Sequence, residues 1–113
     1  MTLDQLLDHS LSKPDVEESF PFGPDVLVLK VKGKVFLLIP LNTDPLQFNV
    51  KCNPDRSIEL REEYASIIPG YHMNKKHWNT IILDGTVTSK LIYELIDHSY
   101  QLVLAGKIDR SNK

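Results

Sequence analysis

The sequence predicts an α+β fold, a two-layer sandwich in which helices cover one face of an antiparallel sheet. Three observations predict it. Strand-like runs follow one another at hairpin spacing between residues 26 and 51, and helix-start signals at Thr2 and Asn53 bracket them. The last long apolar pattern, Leu91 to Val103, repeats at helical spacing. Strands joined by short turns pair antiparallel and need helices to bury one face.

Taken in order, Thr2 to Lys13 places Leu3, Leu6, Leu7 and Ser10 on one helical face, with Thr2 as N-cap and Pro14 as stop. Phe20-Pro-Phe-Gly-Pro cannot continue that helix, because two prolines and a glycine break it. Val26 to Lys32 alternates, with Leu27, Leu29 and Val31 on one face and Val28, Lys30 and Lys32 on the other. Gly33 makes a tight hairpin into Val35–Pro40, which is apolar on both faces. A turn at Asn42–Pro45 delivers Leu46 to Lys51, where Leu46, Phe48 and Val50 oppose Gln47, Asn49 and Lys51. Asn53-Pro54-Asp55 starts a helix that carries Ile58, Leu60 and Tyr64 and runs to Tyr64 or Ser66, with Pro69-Gly70 as terminator. A further hairpin is expected within Tyr71–Leu83, its second strand being Trp78–Leu83. After an Asp84-Gly85 turn comes the last helix, stopped by Gly106. The expected order is α-β(3)-α-β(2)-α, with Lys30, Lys32, Gln47, Asn49 and Lys51 on the sheet face away from the terminal helix.

The 113 residues suffice for one domain, 1–113, with a core that needs no disulfide or metal. Cys52 is the only cysteine, which excludes an internal disulfide and fits a reducing, cytoplasmic setting. No apolar run is long enough to span a bilayer, and no secretory leader is expected.

A formal net charge of −2 excludes a globally basic nucleic-acid coater but hides an asymmetry. Residues 1–25 hold six acids against one lysine, whereas residues 26–53 hold Lys30, Lys32, Lys34 and Lys51 against one acid. Residues 69–83 contain no acid, and their core, Tyr71 to Asn79, interleaves His72, Asn74, Lys75, Lys76, His77, Trp78 and Asn79. Lysines suit phosphates, aromatics offer stacking surface and asparagine amides can read base edges. The competing explanations are edge-protecting lysines and a packed tryptophan.

Six stretches coincide with one known pattern: Phe20–Gly23, Leu29–Phe36, Asn49–Pro54, Pro69–Thr80, Leu83–Gly85 and Leu95–Tyr100. Together they resemble the MmcQ/YjbR family of small bacterial proteins, over about Leu3 to Val103. The resemblance implies a sandwich like secretion chaperones and frataxin, and DNA binding through a double wing. Carried onto this chain, the wings would be the Lys32-Gly33-Lys34 hairpin and the His72-to-His77 turn. Where relatives often place arginine near Lys75 or Lys76, lysine keeps the charge but gives up bidentate geometry.

The leading expectation is therefore a non-enzymatic DNA-binding domain, with duplex DNA as partner. Its contacts would be Lys30, Lys32, Lys34, Lys51, His72, Asn74, Lys75, Lys76, His77, Trp78 and Asn79. The alternative is a protein- or peptide-binding module, with a homodimer as one form of it, using the open sheet face and the Phe20/Phe22 loop. His72, His77, Asp84 and His98 lack the spacing of a nucleophile, base and orienting group, so no catalytic residue, cofactor or membrane partner is expected. Cys52, His72 and His77 lack compact metal-ligand spacing, and Asp4, Asp8, Asp15, Glu17 and Glu18 read as a solvated face.

Overall fold

In the computed structural model, which describes residues 1–70 and 73–106, three helices and six strands follow in the order α1 (Leu3–Leu11), β1 (Val16–Ser19), β2 (Val26–Val31), β3 (Lys34–Pro40), β4 (Gln47–Lys51), α2 (Pro54–Glu63), β5 (Ile67–Pro69), β6 (Trp78–Ile82) and α3 (Ser89–Ala105). The sheet is antiparallel throughout, in the order β1-β2-β3-β4-β6-β5. The α+β sandwich is as expected, with one short edge strand, β1, ahead of the three expected ones.

Each helix end has a local cause. Thr2 and Gln5 form a reciprocal capping box on α1, and the Asn53 side chain accepts the Asp55 and Arg56 amides at the start of α2. Thr88 caps α3, and Gly106 closes it at a φ of 67° that glycine adopts without penalty. The β2–β3 turn is a two-residue loop with Lys32 at φ 52° and Gly33 at φ 78°, the type I′ geometry that matches strand twist.

Period-two alternation sends Leu27, Leu29, Ile39, Phe48, Val50 and Ile81 to the helix side, where they pack with Leu6, Ile92, Leu95, Ile96 and Val103. A bulge in β3 breaks the register between Leu29 and Lys30, since Leu29 opposes Leu37 but Lys30 opposes Val35. Phe36 is the extra residue, buried and edge-on to the Tyr100 ring at 5.4 Å. Where β3 and β4 part, the Ser99 hydroxyl of α3 donates to the Phe36 carbonyl at 2.6 Å and accepts from the Lys51 amide at 2.9 Å.

Two expectations are corrected. The hairpin before β6 starts earlier than Tyr71: β5 is Ile67–Pro69, paired from Ile67↔Ile81 to Pro69↔Asn79. Pro69 thus ends an edge strand, where a missing N–H costs no ladder bond. Ile58 does not face the core but is 56% exposed, because α2 turns Ser57 and Leu60 inward. The open sheet face also differs from a purely polar surface. Val28, Leu38 and Trp78 form a second buried cluster there, with Val26, Val35 and Met73 packed against it.

His98 on α3 accepts the Asn53 backbone N–H through Nε2 at 3.2 Å, which requires that nitrogen unprotonated. Burial, then the Arg56 charge, holds its imidazole below the ordinary value. The unfolded chain therefore binds the proton more readily, so the stability from this site is complete above about 6.5 and drains as pH falls below it. Because the ring is half-exposed, the loss is at most about 1 kcal/mol. The difference in urea-unfolding free energy between wild type and His98→Gln should shrink from pH 7.5 to pH 5. A constant difference would remove His98 from the account.

Candidate nucleic-acid interface

Antiparallel register collects the lysines. Val31 pairs with Lys34, Leu37 with Val50, and Lys51 with Trp78. The β2–β3 hairpin tip, the end of β4 and the start of β6 must then share one end of the sheet. That end carries Lys30, Lys32, Lys34 and Lys51, with Lys75 and Lys76 in the loop entering β6. At about 4.8 Å between neighbouring strands, β2 to β6 spans about 15 Å. Lys32, Lys34, Lys75 and Lys76 are exposed, while Lys30 and Lys51 are half-buried. Acids of the leading segment reach this end as well: Glu17 on β1 stands opposite Lys30 in register, and Asp15 directly precedes Val16, which pairs with Val31. Lys51 holds its ammonium 5.6 Å from the centre of the Trp78 ring, a cation–π contact that ties the charge to the open face.

The loop that presents Lys75 and Lys76 is held from three directions. Asn74 accepts the Lys76 amide on its side-chain oxygen at 2.9 Å, and its carbonyl accepts the His77 and Trp78 amides. Gly70 donates to the Trp78 carbonyl at 2.9 Å, and a Cβ there would lie 3.0 Å from the Trp78 Cβ, so a larger residue would have to push Trp78 aside by a few tenths of an ångström. From α2, Arg61 donates Nε to Asn79 Oδ1 at 2.7 Å and Nη2 to the carbonyls of Lys75 at 2.5 Å and Trp78 at 3.1 Å. One planar guanidinium thereby fixes both ends of the turn.

This arrangement divides the expected contact residues. Lys30, Lys32, Lys34, Lys51, Lys75 and Lys76 share the end described, and Asn74 shapes the loop between them. Three others are corrected. His77 and Asn79 are 2% and 1% exposed, because Trp78 takes the open face and alternation sends its neighbours to the other side. Asn79 spends its amide on Arg61 and on Ser57, at 3.2 Å, so it cannot read a base edge. Trp78 is 6% exposed, packed with Val28 and Leu38 rather than projecting as a wedge. His72 lies outside the described residues.

Of the groups considered for catalysis, Asp84 has a structural duty, whereas the ring nitrogens of buried His77 have no hydrogen-bond partner among the described residues. Asp84 accepts from the Ser66 hydroxyl at 2.6 Å and the Thr86 hydroxyl at 2.7 Å, bonds that hold its carboxyl down to about 2. It stays ionised and braces the turn into α3. Burial pushes the Cys52 thiol up, away from the reactive thiolate. His9 stacks on Tyr93 with ring centres 4.3 Å apart and bonds Asp97 at 2.7 Å, joining α1 to α3. Among the described residues, no three His, Cys, Asp or Glu side chains gather as metal ligands, and no helix is long and apolar enough to cross a membrane.

Arg61 had little sequence signal, since a lone arginine on a polar helix reads as solvated. The open face and the Phe22 loop are an expected binding surface for a protein or peptide, but the groove that lies there is not. On the open face, Phe22 from the loop before β2 and Met73 from the loop before β6 line a cleft of about 510 Å³. Its lining includes Leu38, Gln47, Asn49 and Thr80.

A protein-family model described as YjbR matches residues 11–102. The uncharacterised protein YbdF of Escherichia coli O157:H7 is 38% identical over 104 residues, covering 92% of this chain and 85% of its own length. The uncharacterised protein YjbR of Escherichia coli K12 is 32% identical over 101 residues, 89% and 86% of the two chains. Among solved structures, the Deinococcus radiodurans protein DR2400, with a DUF419 domain, superposes with a TM-score of 0.87 at 44% identity, covering 90% of this chain and 78% of that one. A Pseudomonas syringae protein superposes with a TM-score of 0.77 at 31% identity, covering 91% and 99%.

Proposed function

Because the chain belongs to the YjbR family, whose relatives named above are uncharacterised, we propose a function from its geometry: a non-enzymatic DNA-binding domain that grips backbone phosphates with lysines at one end of its sheet. The observation that carries this reading is the register that brings Lys32, Lys34, Lys51, Lys75 and Lys76 together in a chain whose net charge is −2. The 32–34 hairpin and the 73–77 loop act as two wings astride the DNA backbone. Lysine is a point charge, so these contacts position the duplex without reading its sequence. The buried thiol of Cys52 suits a reducing compartment, in keeping with a cytoplasmic protein.

The test is titration of duplex DNA by fluorescence anisotropy from 25 to 200 mM salt, on wild type and on the double variant Lys75→Glu/Lys76→Glu. Every phosphate left without its lysine should flatten the log–log salt slope by about 0.9, so the double variant should flatten it by about 1.8 and bind roughly ten- to hundredfold more weakly at 0.1 M salt. The fold should be unaffected, because Arg61 holds the Lys75 carbonyl rather than its ammonium. Absence of binding by wild type at the lowest salt would overturn the proposal.

A further inference from the structure

We propose that the groove on the open sheet face takes one unstacked base of a single-stranded nucleic acid, so that the domain prefers single strands or opened duplex over intact duplex. This rests on the phosphate-binding reading above and adds to it a base site. The groove's volume, about 510 Å³, lies in the range of small-ligand sites. Among the described residues its lining carries no charged side chain, which suits a neutral ring. Phe22, 70% exposed, and Met73 both line it and offer apolar surface for a flat ring, together with Val26 and Leu38.

The polar groups are those that pair with base edges. The Thr80 hydroxyl donates to Asn49 Oδ1 at 2.5 Å, which fixes the amide and leaves its Nδ2 hydrogens to donate. Gln47, two residues along the same face, offers a donor and an acceptor. Charge complementarity selects the occupant. On β4 the side chains of Gln47, Asn49 and Lys51 follow on one face, about 7 Å apart at 3.4 Å per residue. A base against Asn49 thus has its phosphates running toward Lys51 and the lysines of the sheet end. An uncharged groove next to a cationic rim matches a nucleotide unit, neutral at the base and anionic along the backbone. A free apolar peptide would use the groove but draw nothing from the cationic rim.

The experiment compares a 12-nucleotide single-stranded DNA of mixed sequence with an abasic oligomer of the same phosphate number, at fixed salt. Wild type should bind the base-bearing strand roughly tenfold or more tightly, the effect of one stacked base. Phe22→Ala and Asn49→Ala should erase most of that preference without changing the salt slope. Phe22 stands on an exposed loop, so its variant tests the groove without threatening the fold. Equal binding of the two oligomers by wild type, with a normal salt slope, overturns the base site while phosphate binding stands; a groove made for an apolar peptide would give that result. Failure of both oligomers and duplex to bind at low salt overturns the phosphate reading, and the base site with it.

Discussion

Replacing Ser99 with alanine should destabilise the protein by about 2–4 kcal/mol, far more than its size suggests. The residue is fully buried, and its hydroxyl stands between two main-chain groups that would otherwise face each other unbonded. Past the pair Leu37↔Val50, the β3 bulge and the departure of β4 leave the Phe36 carbonyl and the Lys51 amide outside the ladder. Ser99 serves both, as donor to one and acceptor from the other. Alanine removes both bonds and admits no replacement, so two buried polar groups carry desolvation costs of about 1–3 kcal/mol each, partly relieved by relaxation. Ser12→Ala is the control. That hydroxyl also bonds a carbonyl, His9 at 2.6 Å, but on the exposed end of α1, where the change should stay within about 0.5 kcal/mol. Urea unfolding of the two variants decides the matter. A Ser99→Ala loss no larger than that of Ser12→Ala would mean that the sheet closes the gap unaided.

The contrast between what could and could not be read in advance follows from length and period. Helices α1 and α3 and strands β2, β3 and β4 each repeat their pattern enough times to declare it, and the Thr2 cap and the Gly106 stop stand at the expected residues. Strand β1 has four residues, two of them acids, and as an edge strand it buries too little to impose alternation. Strand β5 has three and runs into Pro69-Gly70, a pair that ordinarily terminates structure; its edge position makes the proline harmless and the close approach to Trp78 favours the glycine. The inward turn of His77 and Asn79 was legible in principle. Once Trp78 is placed opposite Lys51 on the open face, a period of two dictates where its neighbours go. What no local pattern contains is the long-range pairing of Arg61 with a loop more than a dozen residues away.

The charge asymmetry of the sequence also changes meaning in three dimensions. The acids of the first 25 residues belong largely to α1 and to β1, and only Glu17 lies in register with a lysine of the basic end. The acids of α1 lie in a different layer from the lysine-bearing strands, whereas Glu17 on β1 stays beside Lys30. That separation lets a chain with an overall negative charge present a positive rim, and it predicts binding governed by ionic strength more than by pH near neutrality.

Replacing Arg61 with alanine should weaken the fold and the interface together. The guanidinium makes three hydrogen bonds to the turn: one to the side chain of buried Asn79, and one each to the carbonyls of Lys75 and Trp78. Bonds from a charged donor are worth about 1.5–3 kcal/mol, and here the loss also leaves Asn79 with only its Ser57 partner, so about 2–3 kcal/mol of stability should go. Trp78, the only tryptophan in the chain, is packed beneath this turn and reports its opening by a red shift in emission. Arg61→Lys should recover little, because a single ammonium cannot reproduce the fork that spans Asn79 and two carbonyls. The effect on DNA should differ in kind from that of the Lys75/Lys76 reversal. Arg61 spends its donors on the loop, so its loss should lower affinity roughly tenfold by disordering Lys75 and Lys76, with the salt slope changed by less than the pair of lysines changes it. An Arg61→Ala protein with wild-type stability and unshifted tryptophan emission would show that Asn74 and Gly70 hold the turn without help, and the wing would then be a property of the loop alone.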